Sequence, residues 1–478
     1  MIKSTNEKKW KRLETFKRLI NLGLTFVCLG LETLIFTHHW LNDFQYSVVE
    51  ELRNFWFKGH LLEVAIYAAI LFAFSTMYGG MRLGYLKNVE IIFSQVFATL
   101  IANLLIYAEL SVMAFQLFTP KVFMMMMFEQ TLVVIVYISV ANYVYRRIFP
   151  PRKVLVVGGY RPVDALCAKL SNRKDKYVVA GVINIKDGFD AVCDKILTAY
   201  KEGTCSAVLL GDISLEERSE LFKFCYGHSI RVYLLPKITD VIMMGAEELH
   251  IFDTPLLLTR EYSLTMEQRF IKRAIDLIGS LILILISSPI MILTALVIKL
   301  YDGGPILYKQ VRCTIDRREF YIMKFRSMRT DAEKDGVARL ASKNDNRITP
   351  IGKVIRKCRV DELPQLFNIL KGDMSFIGPR PERPEIIAQY MEVMPEFAFR
   401  MKVKAGLAGF AQVYGKYNTT PYDKLKLDLT YIENYSVWLD LKLMLLTLKI
   451  LFWPDSTEGV ESEQITALKE ERKKEEDK

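Results

Sequence analysis

The stretch AIDLIGSLILILISSPIMILTALVI, residues 274–298, decides the fold of this chain. It is apolar and long enough to cross about 30 Å of hydrocarbon as a helix. Ser287, Ser288 and Pro289 interrupt its centre. A proline inside a helix removes one hydrogen bond and clashes with the preceding turn, so it kinks the helix. An ordinary transmembrane helix is therefore not the only structure that this stretch can form.

Basic residues flank the stretch on both sides, and basic flanks stay in the cytoplasm. They are Lys272, Arg273, Lys299, Lys309, Arg312, Arg317 and Arg318. The sequence thus predicts a re-entrant helix–break–helix with its break at Ser288 and Pro289, which dips into one leaflet and returns. The serine hydroxyls supply internal hydrogen-bond partners at that depth. The alternative is a kinked complete span, which would place the rest of the chain outside.

Four further apolar stretches precede this one, at 19–37, 61–78, 89–110 and 122–145. Each has the length of a membrane-crossing helix, so residues 1–150 are predicted to form four transmembrane helices. Lysines and arginines before the first stretch and after the fourth place the N-terminus and everything after residue 146 in the cytoplasm. The isolated carboxylates within the stretches are either an ion relay or groups that face neighbouring helices. They are Glu32, Glu63, Glu90 and Glu109.

Between these apolar regions, residues 151–262 alternate short β-rich runs with polar helical stretches. The runs are KVLVVGGY, YVVAGVINI, SAVLLGD and IRVYLLP. This alternation predicts a small parallel α/β domain. Gly158 and Gly159 end the first strand, but the third glycine of a dinucleotide fingerprint is missing. The pair forms either a tight strand-to-helix turn or a phosphate site.

The composition of the 478 residues agrees with a hybrid of membrane and water-soluble parts. Hydrophobic residues make up 51% and charged residues 25%, which excludes a disordered or fibrous chain. The mean hydropathy of +0.16 lies between the values of soluble proteins and transporters. The net charge of +10 is located beside the apolar segments and between residues 324 and 380, so no nucleic acid is needed to explain it. Seven scattered cysteines without a CxxC pair argue against a disulfide framework or a zinc site.

The strongest chemical signals lie in NDNRITPIGKVIRKCRVDELPQLFNILKGDMSFIGPRPERPE, residues 344–385. Adjacent carboxylates on a helix point about 100° apart, so Asp361 and Glu362 cannot share one role. One can act as a nucleophile while the other faces a metal ion. Arg380 stands between two prolines as a rigid fork for phosphate, and KFRSMR adds Lys324 and Arg326. By itself, an Asp-Glu pair at a helix start is most often only a dipole partner.

From about residue 268 to 455, the chain resembles the bacterial sugar transferase family, the polyprenyl-phosphate glycosyl-1-phosphate transferases. The landmarks are Ser288-Pro289, DGGP at 302–305, KFRSM at 324–328, DNRITPIGKVIRK, DELPQLFNILKGDMSFIGPRPE, VKAGLAGFAQVYGK and LDLTYIENYSVWLDLK. The upstream layout resembles the long form of the family. The resemblance implies a mixed membrane protein in four parts. These are a four-helix transmembrane bundle (1–150), a cytoplasmic Rossmann-like α/β domain (151–262), a monotopic α/β catalytic domain with the re-entrant helix (263–458) and a charged tail (459–478).

The resemblance also implies an activity: transfer of a sugar-1-phosphate from a nucleotide diphosphate sugar, commonly a UDP-sugar, to undecaprenyl phosphate. Asp361 matches the nucleophile, and Glu362 its partner at Mg²⁺. Phosphate-binding positions fall on Lys324, Arg326, Arg380 and Lys416, and supporting or substrate positions on Asp373, Asp428 and Asp440. Lys416 stands where the family frequently has arginine, and Thr314 where a glycine is frequent.

The expected partners are therefore a nucleotide sugar, a polyprenyl phosphate lipid and the membrane. The expected location is the bacterial inner membrane, with the middle and catalytic domains on its cytoplasmic face. A homodimer through the middle domain is a further expectation from the resemblance. The apolar stretch 437–453 is either a core helix or an amphipathic helix at the interface.

Two other function classes compete with this hypothesis. A membrane-tethered NAD-dependent dehydratase or epimerase is suggested by the α/β domain and by Tyr-x-x-x-Lys at Tyr233/Lys237 and Tyr422/Lys426. Two fixed positions match easily by chance among 23 tyrosines. A transporter or scaffold is the third class, but four spans with few polar groups form a poor substrate pathway.

Overall fold

The computed structural model describes residues 15–44, 57–159, 163–259, 264–329, 347–415 and 419–451. The chain forms two compact units, Met1–Leu235 and Pro236–Lys478. The predicted domain boundaries after residues 150, 262 and 458 stay predictions.

The first unit begins with long apolar helices that cover the four predicted stretches. They are α1 (Lys17–His39, continued by the π-helical turn Trp40–Phe44), α2 (Phe57–Tyr78), α3 (Asn88–Met113) and α4 (Pro120–Ile148). Their shared core contains Phe36, Tyr67, Leu71 and Ile106, each 0% exposed. Many other apolar side chains of the helices are exposed, among them Leu34, Phe72, Val112 and Phe128.

Glu32 of α1 lies fully inside this helical bundle, at 0% exposure. Gln95 Nε2 donates a hydrogen bond to its carboxylate at 2.7 Å, and the Thr99 hydroxyl donates another. Both donors belong to α3, so the carboxylate joins two helices. For Glu32, these contacts favour helix packing over an ion relay.

The α/β part of the first unit is a four-stranded parallel sheet in the order β2-β1-β3-β4, which confirms the predicted parallel α/β domain. Its elements are β1 (Arg152–Gly158), α5 (Asp164–Ser171), β2 (Tyr177–Asn184), α6 (Phe189–Lys201), β3 (Ala207–Leu210), α7 (Leu215–Gly227) and β4 (Arg231–Leu234). A Cβ atom on Gly158 would lie 2.2 Å from Val163 Cγ2, and one on Gly159 would lie 2.4 Å from Ile185 Cγ2. These close approaches favour the interpretation of the glycine pair as a tight turn.

The second unit combines one long apolar helix with a compact α/β core. Its elements are α8 (Ile238–Met243), β5 (Glu247–Ile251), β6 (Thr254–Leu258), α9 (Met266–Asp302), β7 (Leu307–Cys313), β8 (Glu319–Phe325), α10 (Pro350–Lys357), α11 (Gln365–Lys371), β9 (Ser375–Ile377), α12 (Pro384–Val393), β10 (Gly406–Ala408), α13 (Phe410–Tyr414), α14 (Pro421–Glu433) and α15 (Val437–Leu451). β5–β6 and β7–β8 are antiparallel pairs, and β9 pairs in parallel with β10. Leu443 of α15 is buried in the core, whereas Trp438 at its start is 58% exposed, so α15 has both a core face and an exposed face.

Helix α9 runs through Ser288 and Pro289 without an interruption, so the break predicted there is not seen as a gap in the helix. The reason lies in the hydrogen bonds. Proline has no N–H to donate to the carbonyl four residues earlier, which is that of Leu285. The Ser288 hydroxyl donates to this carbonyl oxygen at 2.8 Å instead. A side-chain donor thus replaces the missing backbone donor and lets the helix continue.

By length and composition, five helices in the described part of the chain are apolar enough to cross a membrane. They are α1 with its π-helical turn, α2, α3, α4 and α9. The chain therefore has the composition of a membrane protein.

The first turns of α9 are fastened to the core by polar contacts. Arg273 donates two hydrogen bonds of 2.8 Å to the carbonyl oxygens of Ile369 and Leu370, which end α11. Asp276 Oδ1 accepts hydrogen bonds from the Ser375 hydroxyl and from Phe376 N, each at 3.0 Å. The apolar helix is thereby joined directly to α11 and β9, the elements next to the candidate site.

Candidate active site

The site is built on a short helical turn, Val360–Glu362, between α10 and α11. Arg359, just before the turn, has a φ of 56°, in the left-handed region. Such a conformation costs a non-glycine residue roughly 1–2 kcal/mol, and strain of this kind clusters at functional sites. It reverses the chain direction at the end of α10 and brings Asp361 and Glu362 toward β8.

Asn368 of α11 sets the distance between this turn and β8. Its Oδ1 accepts a hydrogen bond from Met323 N at 3.0 Å, and its Nδ2 donates one to Tyr321 O at 2.8 Å. The amide side chain thus takes the place of a neighbouring strand along the open edge of β8. Lys324, the next residue of that strand, is thereby held beside the turn.

Glu362 lies among three cations. Its Oε1 is 3.2 Å from Lys324 Nζ, 3.7 Å from Arg380 Nη2 and 3.8 Å from Arg359 Nη1. Burial alone would raise the pKa of Glu362, but the positive charges of Lys324, Arg380 and Arg359 outweigh it and lower the pKa to about 2. This carboxylate is therefore ionised at neutral pH and gathers the cations around the turn.

Asp361 differs from its neighbour Glu362 in its partners and in the direction of its pKa shift. Its side chain is only 8% exposed, and no group among the described residues makes a hydrogen bond to its Oδ1. Burial and then the negative charge of Glu362 raise the pKa of Asp361. A buried carboxylate oxygen without a partner is costly. It is free to bond an incoming group, as a nucleophile or a cation ligand must be.

The predicted phosphate-binding residues separate into different places. Lys324 and Arg380 both reach Glu362, next to Asp361. Arg326 instead pairs with the carboxylate of Asp302, and a Cβ atom on Gly304 would lie 2.6 Å from its Nη1. Arg326 therefore holds the DGGP loop against the end of β8. Lys416 lies outside the described residues.

The three predicted supporting aspartates each pair with a cation. Asp428 Oδ2 is 2.7 Å from Arg400 Nη2, and Asp440 Oδ2 is 2.6 Å from Lys272 Nζ. Asp373 lies 3.4 Å from Arg318 Nη2, which is 56% exposed. Asp428 and Asp440 pair with buried cations, so these contacts support a role of both in holding the unit together, whereas the partner of Asp373 is exposed.

Two side chains that hold the site together were missed by sequence reasoning. Glu382 receives a hydrogen bond from Lys424, and positive charge from Lys424 and Arg400 outweighs the effect of burial and lowers its pKa to about 2. The Thr314 hydroxyl donates to Asp373 O at 2.9 Å and accepts from Ala405 N at 3.1 Å. Glu382 follows the Gly-Pro-Arg-Pro run directly, but its partners are distant in sequence. Thr314 shows no sequence signal beyond its departure from a frequent glycine.

The described side chains can bind a divalent cation only together with oxygen atoms from a bound substrate. Within the described ranges, no group of three or more His, Cys, Asp or Glu side chains could hold a metal ion. Mg²⁺ commonly binds through one or two carboxylates together with substrate phosphates. Asp361 Oδ1, which no described residue hydrogen-bonds, and the adjacent Glu362 fit that pattern.

The tyrosine–lysine pairs of the dehydratase hypothesis have other partners. Lys426 Nζ lies 4.6 Å from the centre of the Tyr422 ring and 2.9 Å from Asp423 Oδ1. The Tyr233 hydroxyl accepts a hydrogen bond from Arg152 Nη1 at 3.0 Å. These contacts explain the pairs structurally and do not favour that hypothesis.

Comparison with known proteins agrees with the geometry. Residues 267–454 match the family described as "Bacterial sugar transferase". The chain is 44% identical over 185 residues to the UDP-N-acetylgalactosamine-undecaprenyl-phosphate N-acetylgalactosaminephosphotransferase of Aeromonas hydrophila, which covers 38% of this chain and 44% of that protein. It is 33% identical over 319 residues to the undecaprenyl-phosphate glucose phosphotransferase of Komagataeibacter xylinus, covering 62% of this chain and 58% of that protein.

A shorter relative is covered more completely. The UDP-glucose:undecaprenyl-phosphate glucose-1-phosphate transferase of Caulobacter vibrioides is 37% identical over 190 residues, covering 39% of this chain and 71% of that protein. The chain thus spans about half the length of the first two relatives and most of the third. The matched region contains Asp361, Glu362 and the cations around them.

Proposed function

Because the chain belongs to the bacterial sugar transferase family, we propose that it transfers a sugar-1-phosphate from a nucleotide diphosphate sugar to undecaprenyl phosphate. The donor is a UDP-sugar and the leaving group is UMP. The product, a sugar linked to the lipid through a diphosphate, starts the synthesis of an exopolysaccharide, capsule or other surface glycan. The names of the relatives support this reaction class, since each acts on undecaprenyl phosphate.

In the first step, a carboxylate oxygen of Asp361 attacks the phosphorus that carries the sugar. The bond between this phosphorus and the bridging oxygen of the diphosphate breaks, and UMP leaves with that oxygen. The sugar phosphate is then held on Asp361 as an acyl phosphate. In the second step, a phosphate oxygen of the lipid attacks the same phosphorus and restores the Asp361 carboxylate. A nucleophile on the protein thus divides one difficult exchange between two anions into two displacements.

The residues around Asp361 stabilise negative charge on the substrate and hold the cations in place. Arg380 and Lys324 can offset negative charge that develops on the phosphate oxygens. Glu362 keeps both cations beside Asp361. Mg²⁺, which Asp361 and Glu362 would hold, supplies further charge stabilisation when bound. The raised pKa of Asp361 means that the nucleophile becomes more available as the pH rises through that value.

The lipid acceptor requires that the site lie at a membrane surface. We place the enzyme in the bacterial inner membrane as a multi-pass protein, with both the middle and catalytic domains on the cytoplasmic face, and as a homodimer. Helix α9 enters one leaflet and returns in this proposal, since its basic flanks favour the cytoplasm at both ends. A cysteine introduced as Arg329→Cys, in a Cys358→Ser background, tests this path. Labelling only after permeabilisation is expected, and labelling from outside intact cells would contradict it.

The observation that carries the proposed reaction is the buried Asp361 Oδ1, which has no hydrogen-bond partner in the described part of the chain, beside three gathered cations. The test is to incubate the purified protein with Mg²⁺, undecaprenyl phosphate and a panel of UDP-sugars and to follow UMP release. Release with at least one sugar is expected, together with its loss in Asp361→Asn. Asp187→Asn, at a partly exposed carboxylate of the first unit that pairs with Lys195, is the matched control and should retain activity. No release from any sugar, or undiminished release by Asp361→Asn, would contradict the proposal.

A further inference from the structure

The turn at residues 379–382 carries Arg380 to the catalytic carboxylates, and its two prolines leave it with only two backbone N–H donors. Pro379 and Pro381 have no N–H group. All four carbonyl oxygens of the turn accept hydrogen bonds from other parts of the unit. Gly406 N donates to Pro379 O at 3.0 Å, Arg400 Nη2 to Arg380 O at 3.0 Å, Arg312 Nη1 to Pro381 O at 3.2 Å, and Cys313 N to Glu382 O at 3.0 Å. Two of these donors are guanidinium groups, so the turn depends on side chains for its position.

The two guanidinium groups are themselves held by carboxylates. Arg400 is 3% exposed, and its Nη2 also lies 2.7 Å from Asp428 Oδ2. Its Nη1 lies 3.9 Å from Glu382 Oε1, and Arg312 Nη1 lies 3.6 Å from Glu382 Oε2. Apolar side chains often replace buried ion pairs without loss of stability. Stability alone therefore does not explain this network, whereas the placement of the turn does.

We propose that Arg400 is a positioning residue that sets the place of Arg380 beside Glu362 by holding the carbonyl oxygen of Arg380. The proposal deepens the function above and rests on it, because Arg380 is taken to act on the substrate phosphate. A lysine at position 400 would keep the charge but lose the planar fork. It cannot hold Asp428 and the Arg380 carbonyl in the same geometry. The turn would shift, and Arg380 would leave its place 3.7 Å from Glu362 Oε1.

A double-mutant cycle between Arg400→Lys and Arg380→Ala tests this role, with kcat and KM for the nucleotide sugar as the readout. Arg400→Lys alone should lower kcat/KM about 10- to 100-fold, since misplacement by about 1 Å can cost that much. In the Arg380→Ala background, the same substitution should cost less than about twofold, because coupled residues are not additive. An equal loss in both backgrounds, or no loss in either, would overturn the proposal.

Arg273→Lys is the matched control, because Arg273 also donates guanidinium hydrogen bonds to two backbone carbonyls, those of Ile369 and Leu370. Any loss of kcat/KM that Arg273→Lys causes should be the same with and without Arg380→Ala. Hydrogen–deuterium exchange gives a readout that needs no activity. The amides of Cys313 and Gly406 should exchange about tenfold faster in Arg400→Lys than in the wild type. In Arg273→Lys their exchange rates should equal those of the wild type. If the wild type releases UMP from no sugar, the proposed function fails. Unchanged exchange in Arg400→Lys would overturn the positioning role independently.

Discussion

Buried carboxylates occur in two settings in the second unit, and the settings differ in their partners. At the junctions of Lys272 with Asp440 and of Arg400 with Asp428, each carboxylate lies within 2.7 Å of a cation. At the Val360–Glu362 turn, Asp361 is also buried, at 8% exposure, but its Oδ1 has no partner among the described residues. A buried carboxylate that contacts a cation is called matched here, and one whose oxygen has no such contact is called unmatched. A matched carboxylate stabilises the fold. An unmatched one costs free energy and is free for a ligand.

The largest effect should follow from removing the unmatched carboxylate. Asp361→Asn should lower UMP release by at least roughly 1,000-fold, as expected for the loss of a nucleophile. Thermal unfolding in detergent should show a midpoint no lower than that of the wild type, because the substitution removes a buried carboxylate whose Oδ1 has no hydrogen-bond partner among the described residues. A clear loss of stability would mean that Asp361 is a structural residue like Asp440.

Removing a matched carboxylate should instead lower the stability of the fold. Asp440→Asn leaves Lys272 buried without its charge partner, and breaking such a pair costs about 3–5 kcal/mol. Its thermal midpoint in detergent should therefore fall well below that of Asp361→Asn. A stability equal to that of the wild type would remove the distinction between the two settings.

An intermediate effect should appear at acidic pH. The folded pKa of Glu382 is about 2, below its ordinary value of 4.5. A carboxylate with a lowered folded pKa contributes stability above its unfolded pKa, and this contribution is lost as the pH falls toward the folded value. The wild type should thus lose stability between pH 4.5 and 2. Glu382→Gln should lose less over the same range, with Glu362 supplying the remaining slope. An identical slope in both proteins would show that Glu382 is not held ionised.

The smallest effect should come from Asp373→Asn. Its cation partners are exposed, Arg318 at 56% and Lys371 at 76%. Pairs of this kind contribute about 0–1 kcal/mol. Thermal unfolding should therefore change little, and activity should be retained. A loss as large as that of Asp440→Asn would show that Asp373 belongs with the matched buried carboxylates.

Several of these features could be predicted from the sequence because they depend on local pattern. Apolar runs located the membrane helices, and alternating β-rich runs located the parallel sheet. The motif order placed Asp361, Glu362, Lys324 and Arg380 in one region, and the structure brings them together.

Other features depend on contacts between distant parts of the chain. The partners Arg400 and Asp428 are 28 residues apart, and Glu382 and Lys424 are 42 apart. Arg326 pairs with Asp302 of the preceding loop, a contact that the motif does not indicate, and its place at a phosphate stays a prediction. Pro289 was expected to break a helix, and the Ser288 hydroxyl compensates for the lost hydrogen bond. Sequence pattern identifies charged side chains and helix-breaking prolines, but only the fold shows which groups pair with the charges or replace the lost hydrogen bond.

The central claim is that Asp361 takes the sugar phosphate before the lipid enters. The direct measurement is rapid-quench UMP release and intact-protein mass in the presence of a UDP-sugar and Mg²⁺ but without undecaprenyl phosphate. The predicted result is a burst of about one UMP per active site, with a mass increase of one sugar phosphate located on the peptide that contains Asp361. Asp361→Asn should show neither. UMP release that occurs only when the lipid is present, with no adduct on the protein, would contradict the account.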